Sequence, residues 1–562
     1  MAKDYVRKSG RSAKIRNNVA TPQSRKARKG QVKNDAGGYV FKVGDMTYLN
    51  RFLILGTESP TYYVSAEKLS RVAAKRVEKL MDSSMATKAI DEIVRVSNEG
   101  LSPKNDPAIF ALALAVNSPR SEVRKYALSK LSDVCRIFTH LATFLTYYQS
   151  MRKASGWGRG MRTAIANWYN QKKANNVAYQ MCKYPSRRVE GETPWTHRDV
   201  LRKAHVIPFT PEHDTAFRYA VKGVAGFENG LDNLINTDLS YIYAHEAVKE
   251  AKSVTELINL IHDHSITFES VPTEFHKSKQ VWKALLEHMP MTATIRNLAR
   301  LTSLDILAPL ASENSLVIDR ILNEDALRKS RMHPINLLIA WRIYSRGYGL
   351  KGNLKWTPVP DICSALEDAF YLSFKTIEPT NKRILVGIDM SGSMGGSVYS
   401  GNDKNGDDTS ASVLNTVEVA AAMSMSVLRS EKSCHLIGFD TVAYDNLGIS
   451  KSDRLETVMR KIRPRGGTDC SIPVRWANSK HIDVDAFVIF TDNQSWYGTQ
   501  HPYQALEKYR KDINSEAKLV NVAMTADRIS IADQDDFKGS LDVSGFNAQV
   551  PLLTRNFILG NF

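Results

Sequence analysis

Cysteine is scarce in this chain of 562 residues: there are five, at 135, 182, 363, 434 and 470, and no two form a CxxC pair. An odd number of widely spaced thiols excludes a disulfide framework and a thiolate zinc site, and points to a reducing compartment. A run of about 18 apolar residues, the minimum for a membrane span, is also missing. The residues after Met1 are charged rather than apolar, which reads against a secretory signal. The expectation is a soluble, cytoplasmic protein with no membrane partner. Acidic excess is lacking too, since the formal net charge is +17.

That charge is unevenly spread. Residues 1–35 carry 11 basic against 2 acidic side chains, residues 36–380 carry 45 against 35, and residues 381–562 carry 20 against 22. A polyanion is therefore expected on the N-terminal part and not on the near-neutral C-terminal part. Residues 1–35, with Arg25-Lys-Ala-Arg-Lys29 set among Ser, Gln, Gly and Asn, show no apolar periodicity and read as a basic disordered tail. The length implies two or more domains.

From about Ala66 the chain reads as helices of 10 to 20 residues with apolar positions three and four apart, and strand-like alternation is scarce. Breakers at Pro103, Pro119, Pro185, Pro208, Pro272, Pro290 and Pro334 divide it into paired helices whose apolar faces need neighbours, as in a helical-repeat solenoid. Within it, Arg159, Arg162, Lys172, Lys173, Arg187, Arg188, Arg198, Arg202 and Lys203 cluster in 45 residues, interleaved with Trp157, Trp168, Trp195 and His197. So much like charge repels itself, which favours a phosphate ligand over a merely solvated face, while His197 or an aromatic is expected to meet unpaired bases. The tryptophans read as core anchors. Arg124, Lys125 and Arg136 are further candidates on local basicity alone.

The C-terminal part carries a different chemistry. The apolar run Ile384–Ile388 ends in Asp389-Met-Ser391-Gly-Ser393, placing a carboxylate and two hydroxyls at the C-terminal end of an expected buried strand. A hard cation such as Mg²⁺ takes oxygen ligands and keeps several waters, which suits this set. Thr468, flanked by Gly466 and Gly467, and Asp492, at the end of the apolar run Phe487–Thr491, supply further oxygens. All three loops meet only if the strands are parallel neighbours, the place where open α/β sheets bind ligands. The ligand set holds neither a positioned base nor two-metal geometry, so a nuclease is disfavoured.

Asp389, Ser391, Ser393, Thr468 and Asp492 together resemble the metal-ion-dependent adhesion site of von Willebrand factor A domains, over roughly residues 380–562. The segments Tyr48–Tyr63, Gly156–Arg159 with Trp168-Tyr169, Trp195–Arg198, Met289–Leu298, Met332–Pro334 through Tyr371, and Arg555–Phe557 resemble the Ro autoantigen, or TROVE, family. This resemblance implies an all-α ring of HEAT-like repeats over 36–378 followed by a doubly wound α/β A domain over 379–562. It also implies a monomeric, non-enzymatic protein of a Ro ribonucleoprotein. Y-like RNA would bind outside the ring and single-stranded 3′ ends of misfolded RNA in its hole, for RNA quality control, with a ribonuclease possible as an RNA-recruited partner. The rival expectation is a protein-interaction scaffold whose metal site grips an acidic partner. Two features exceed the family pattern: the basic tail, expected to add nonspecific RNA affinity, and the insertion 395–409. Its Asp403, Asp407 and Asp408 read as solvated, with an internal acidic ligand for the metal as the alternative.

Overall fold

The computed structural model describes residues 21–55, 74–152, 156–187, 194–349, 353–374, 378–402, 408–545 and 549–561. They form two compact units. One holds the helices from Lys75 to Leu372; the other joins residues 21–55 to the chain beyond Phe374.

The helical unit is built almost wholly of helices that pack on their neighbours along the chain. Pro334 opens the helix Pro334–Arg346 at its first turn, where a missing N–H costs nothing, and Pro360 does the same for Pro360–Leu372. Thr196, Thr210, Ser253, Ser278 and Asn323 cap helices by accepting a backbone N–H. The helix Asp106–Val116 is buried on every side from Pro107 onward, so its sequence shows no polar face. The array returns on itself: Asn336 Nδ2 donates to Pro103 O at 3.2 Å, and a Cβ on Gly100 would stand 2.9 Å from that of Arg331. This is the ring closure that the family resemblance implies.

The second unit has a six-stranded sheet in the order Ser540–Ser544, Lys518–Ala523, Ala486–Thr491, Arg383–Asp389, Ser433–Phe439, Ala443–Tyr444. All neighbours are parallel except the last pair. Strands covered on both faces read as continuous apolar runs, and Ala486–Thr491 is buried throughout. Chain order reverses direction across the sheet between Arg383–Asp389 and Ala486–Thr491, creating the crevice at which such sheets bind ligands. A hairpin, Ser397–Asn402 with Asp408–Asn415, occupies the insertion; Asp403 and Asp407 lie outside the described residues.

Two expectations about the N-terminal part are corrected. The basic tail is not disordered throughout: Pro22–Ser24 forms a 3₁₀ turn, and Gln31–Lys33 pairs with Tyr39–Lys42, which pairs in turn with Ile529–Ser530. The fold boundary also departs from residue 36, because residues 39–55 build the α/β unit. Val40 sits in the same apolar cluster as Leu385, Phe487 and Leu519. Arg51 is wholly buried, donating to the carbonyls of Asp527 (2.7 Å) and Ile529 (2.6 Å) and pairing bidentately with Asp542 at 2.7 Å. Such pairing depends on residues nearly 500 positions away, so nothing local could reveal it. Residues 1–20 lie outside the described residues.

Candidate functional sites

The three oxygen-bearing loops do converge. Asp389 ends its strand, and its Oδ1 accepts the Ser391 N–H at 2.8 Å while its Oδ2 accepts the Thr491 hydroxyl at 2.5 Å. Ser391 Oγ and Ser393 Oγ are 3.0 Å apart. That matches neighbouring ligands on one octahedral ion with bonds of about 2.0–2.1 Å, for which about 3 Å is expected. Gly392 N donates to Gly466 O at 3.1 Å, tying the first loop to the second. All five predicted ligands are buried, and two of their atoms, Thr468 Oγ1 and Asp492 Oδ2, have no hydrogen-bond partner among the described residues. Orphaned buried oxygens are costly unless something binds them.

Electrostatics point the same way. Burial, helped by the Asp440 charge, pushes the Asp389 carboxyl up to about 6 against hydrogen bonds from Ser391 and Thr491 that lower it. Burial, and then the Asp389 charge, raise Asp492 well above the usual carboxylate range. Among the described residues no Lys or Arg forms an ion pair with either. Two buried carboxylates without a counter-cation fit a divalent ion, which would favour their charged forms. Bound there, the ion would supply an open position for an acidic group.

Sequence reasoning missed the supports. Asp440, which directly follows the strand Ser433–Phe439, accepts from Val442 N and Tyr444 Oη, each at 2.9 Å. Its signal was available, an apolar strand ending in Asp. Asp469 beside Thr468 accepts from Ser471 N (3.0 Å) and pairs with Arg475 (3.1 Å), and no local pattern marks it.

On the helical unit the structure brings together only part of the basic cluster. Arg159 and Arg162 lie on one exposed side of Arg159–Asn170, and helix His197–Ala204, bearing exposed Arg198 and Arg202, packs on it. Arg187 faces Trp195 across the short ladder Ser186–Arg187 with Trp195–Thr196, and Lys173 is also exposed. Among the described residues no carboxylate pairs with Arg159, Arg162, Lys173, Arg187, Arg198 or Arg202. Arg188 lies outside the described residues.

The remaining candidates, Lys125 apart, are committed elsewhere. Lys172 Nζ donates to Trp168 O at 2.9 Å and lies 3.7 Å from the Trp168 ring centre; burial lowers it to about 8. Lys203 is over the rings of Trp157 (5.2 Å) and Trp195 (5.4 Å). Arg124 caps the carbonyls of Ser118 and Pro119, and Arg136 holds Ser97, Asn98 and Asp133. Lys125 is exposed. Trp157 and Trp168 are core anchors, as expected, whereas Trp195 is half-buried.

His197 is the clear correction. It is 3% exposed, stacked on Phe138 at 3.5 Å with Nδ1 3.0 Å from Tyr169 Oη, and burial lowers it to about 3. A neutral, enclosed imidazole meets no base; it fixes the packing of the helix that presents Arg198 and Arg202. The surface instead offers Ile207 and Phe209, 76% and 69% exposed, on a loop pinned by Asn170. Asn170 Nδ2 donates to Ile207 O (2.9 Å), and its Oδ1 accepts from Phe209 N (3.1 Å).

A parallel sheet with this loop constellation, joined to a closed helical array, defines a von Willebrand A domain carried with a TROVE-type helical unit. The TROVE domain family matches residues 32–265 and 260–342, and the Ro60 vWA domain family matches 383–558. The chain belongs to the Ro60 family of TROVE-domain proteins. It is 34% identical to the RNA-binding protein RO60 of Deinococcus radiodurans over 97% of this chain and 98% of that one. It is 33% identical to the RNA-binding protein RO60 of Caenorhabditis elegans over 96% and 91%. The crystal structure of the Deinococcus radiodurans RO (RSR) protein superposes with a TM-score of 0.67 at 33% identity, covering 92% of this chain and all of that one. No described helix is long and apolar enough to cross a membrane.

Proposed function

We propose that this chain is an RNA-binding scaffold whose helical unit holds a small structured RNA, of the Y-RNA kind, through its phosphates. One observation carries the reading: six exposed cations, Arg159, Arg162, Lys173, Arg187, Arg198 and Arg202, stand on adjoining elements without carboxylate partners among the described residues. The names of the relatives support it. Phosphate contacts position such an RNA and shape selects it, and Phe209 offers a stacking face to an unpaired base. Acceptance of single-stranded 3′ ends by the ring, a quality-control role, an RNA-recruited ribonuclease and a cytoplasmic setting follow from the family resemblance and are part of the same reading. The α/β unit holds a divalent cation, Mg²⁺ by its oxygen set, through Ser391, Ser393, Thr468, Asp389 and Asp492. On this reading the ion serves binding rather than catalysis.

The test is a salt titration of RNA binding. Reversing Arg159, Arg162, Arg198 and Arg202 to Glu should weaken binding at least about a hundredfold and lower the salt slope by about 3, four phosphate contacts at about 0.7–0.9 each. An unchanged slope sinks the assignment. A second reading, in which the metal site grips an acidic protein partner, rests on the orphaned Thr468 and Asp492 oxygens. It predicts that EDTA releases protein but not RNA in a pull-down.

A further inference from the structure

The loops bearing Thr468 and Asp492 are held by a segment that lies outside the six-stranded sheet. Gln23, fully buried, donates from Nε2 to Asp469 Oδ1 at 2.6 Å and accepts the Ser495 hydroxyl on Oε1 at 2.6 Å. One side chain thereby bridges the neighbour of Thr468 to the loop that follows Asp492. Thr21 Oγ1 donates to Trp496 O at 2.5 Å, and Asn34 Nδ2 to Ser495 O at 2.7 Å. Gln494 Oε1 accepts the backbone N–H groups of Asp35 (3.1 Å) and Ala36 (3.2 Å). Gly38 lies so close that a Cβ there would collide with the Ser495 carbonyl. Directly between the two loops, Trp496 N and Tyr497 N donate to Thr468 O at 3.1 and 3.0 Å.

The division of labour is informative. The side chains of Asp389, Ser391 and Ser393 are organised by bonds among themselves and to Thr491, and their loop is tied to the Thr468 loop by Gly392 N donating to Gly466 O. Thr468 and Asp492, whose ligand atoms are the orphaned ones, stand on the loops that residues 21–38 cross-link. We infer that residues 21–38 are a built-in clamp of the metal centre, with Gln23 a positioning residue that sets the separation of Thr468 and Asp492. This rests on the metal reading above. Because linkage is reciprocal, a clamp that tightens metal binding must itself be tightened by metal to the same degree.

The experiment uses the full chain and Mg²⁺ itself. Gln23→Ala and Asn34→Ala should each weaken Mg²⁺ binding by calorimetry, Gln23→Ala by about tenfold, a loss expected when pre-organisation goes. In the wild type, Mg²⁺ should slow amide exchange at residues 31–38, and Asp389→Ala should abolish that response. Unchanged affinity in both variants, or exchange at 31–38 indifferent to Mg²⁺, overturns the clamp while leaving the metal site standing. Failure of the wild type to bind Mg²⁺ overturns the metal reading, and the clamp with it. Should Gln23→Ala fail to fold by circular dichroism, Asn34→Ala and the wild-type exchange decide.

Discussion

The two units differ in the ionisable groups whose titration burial shifts most. The helical unit keeps its cluster of cations outside and encloses neutral histidines: burial lowers His197 and His333 to about 3 and His140 and His245 to about 4. The α/β unit encloses carboxylates, with burial raising Asp389, Asp469 and Asp492, though it also holds one lowered histidine, His501. One unit presents positive charge to a polyanion, and the other sequesters negative charge that suits a cation. Their response to pH, metal and charge deletion should therefore differ in sign.

Acid gives the largest contrast. A histidine lowered in the folded state stabilises fully above its unfolded value near 6.5 and loses that contribution as pH falls toward the folded value. His197 and His333 should each cost the helical unit about 2 kcal/mol at pH 5. A carboxyl raised in the folded state has the opposite sign: without metal, Asp389 makes the α/β unit more stable as pH falls from about 6 toward 4. Amide exchange resolved by peptide and corrected for intrinsic rates should show the helical unit opening first at pH 5 in EDTA. Earlier opening of the α/β unit would break the comparison.

Next in size is removal of the buried cation of the α/β unit. Arg51→Ala leaves Asp542 unpaired in the interior and should cost about 3–5 kcal/mol in urea unfolding. Arg159→Ala, on the exposed face, should stay within about 0.5 kcal/mol. Smaller again is the metal effect. Mg²⁺ at 100 times its dissociation constant should stabilise the α/β unit by about 2.7 kcal/mol at pH 7.5. It should do less at pH 5, where protons compete for Asp389. Equal stabilisation of Thr468→Val by Mg²⁺ would remove Thr468 from the ligand set.

Much of this was legible because the signals are short-range. Apolar runs ending in Asp389 and Asp492 place those carboxylates at strand ends, and the breaker Pro334 marks a helix start. His197 was misread for an equally physical reason. Its neighbour Arg198 is a surface residue and Trp195 is only half-buried, but a helix turns 100° per residue, and local basicity does not reveal which side of His197–Ala204 meets Phe138. Gln23 and Arg51 gave no signal, since each acts only on partners more than 440 residues away.

The sequence alone determined the two chemistries and roughly where each lies, because charge density, helix periodicity and strand-end carboxylates are properties of adjacent residues. Tertiary structure decided which cations are free, that His197 is core, and that residues 21–55 belong to the α/β unit. These depend on pairing and burial between distant segments, where side-chain direction and a neighbour's desolvation set the outcome.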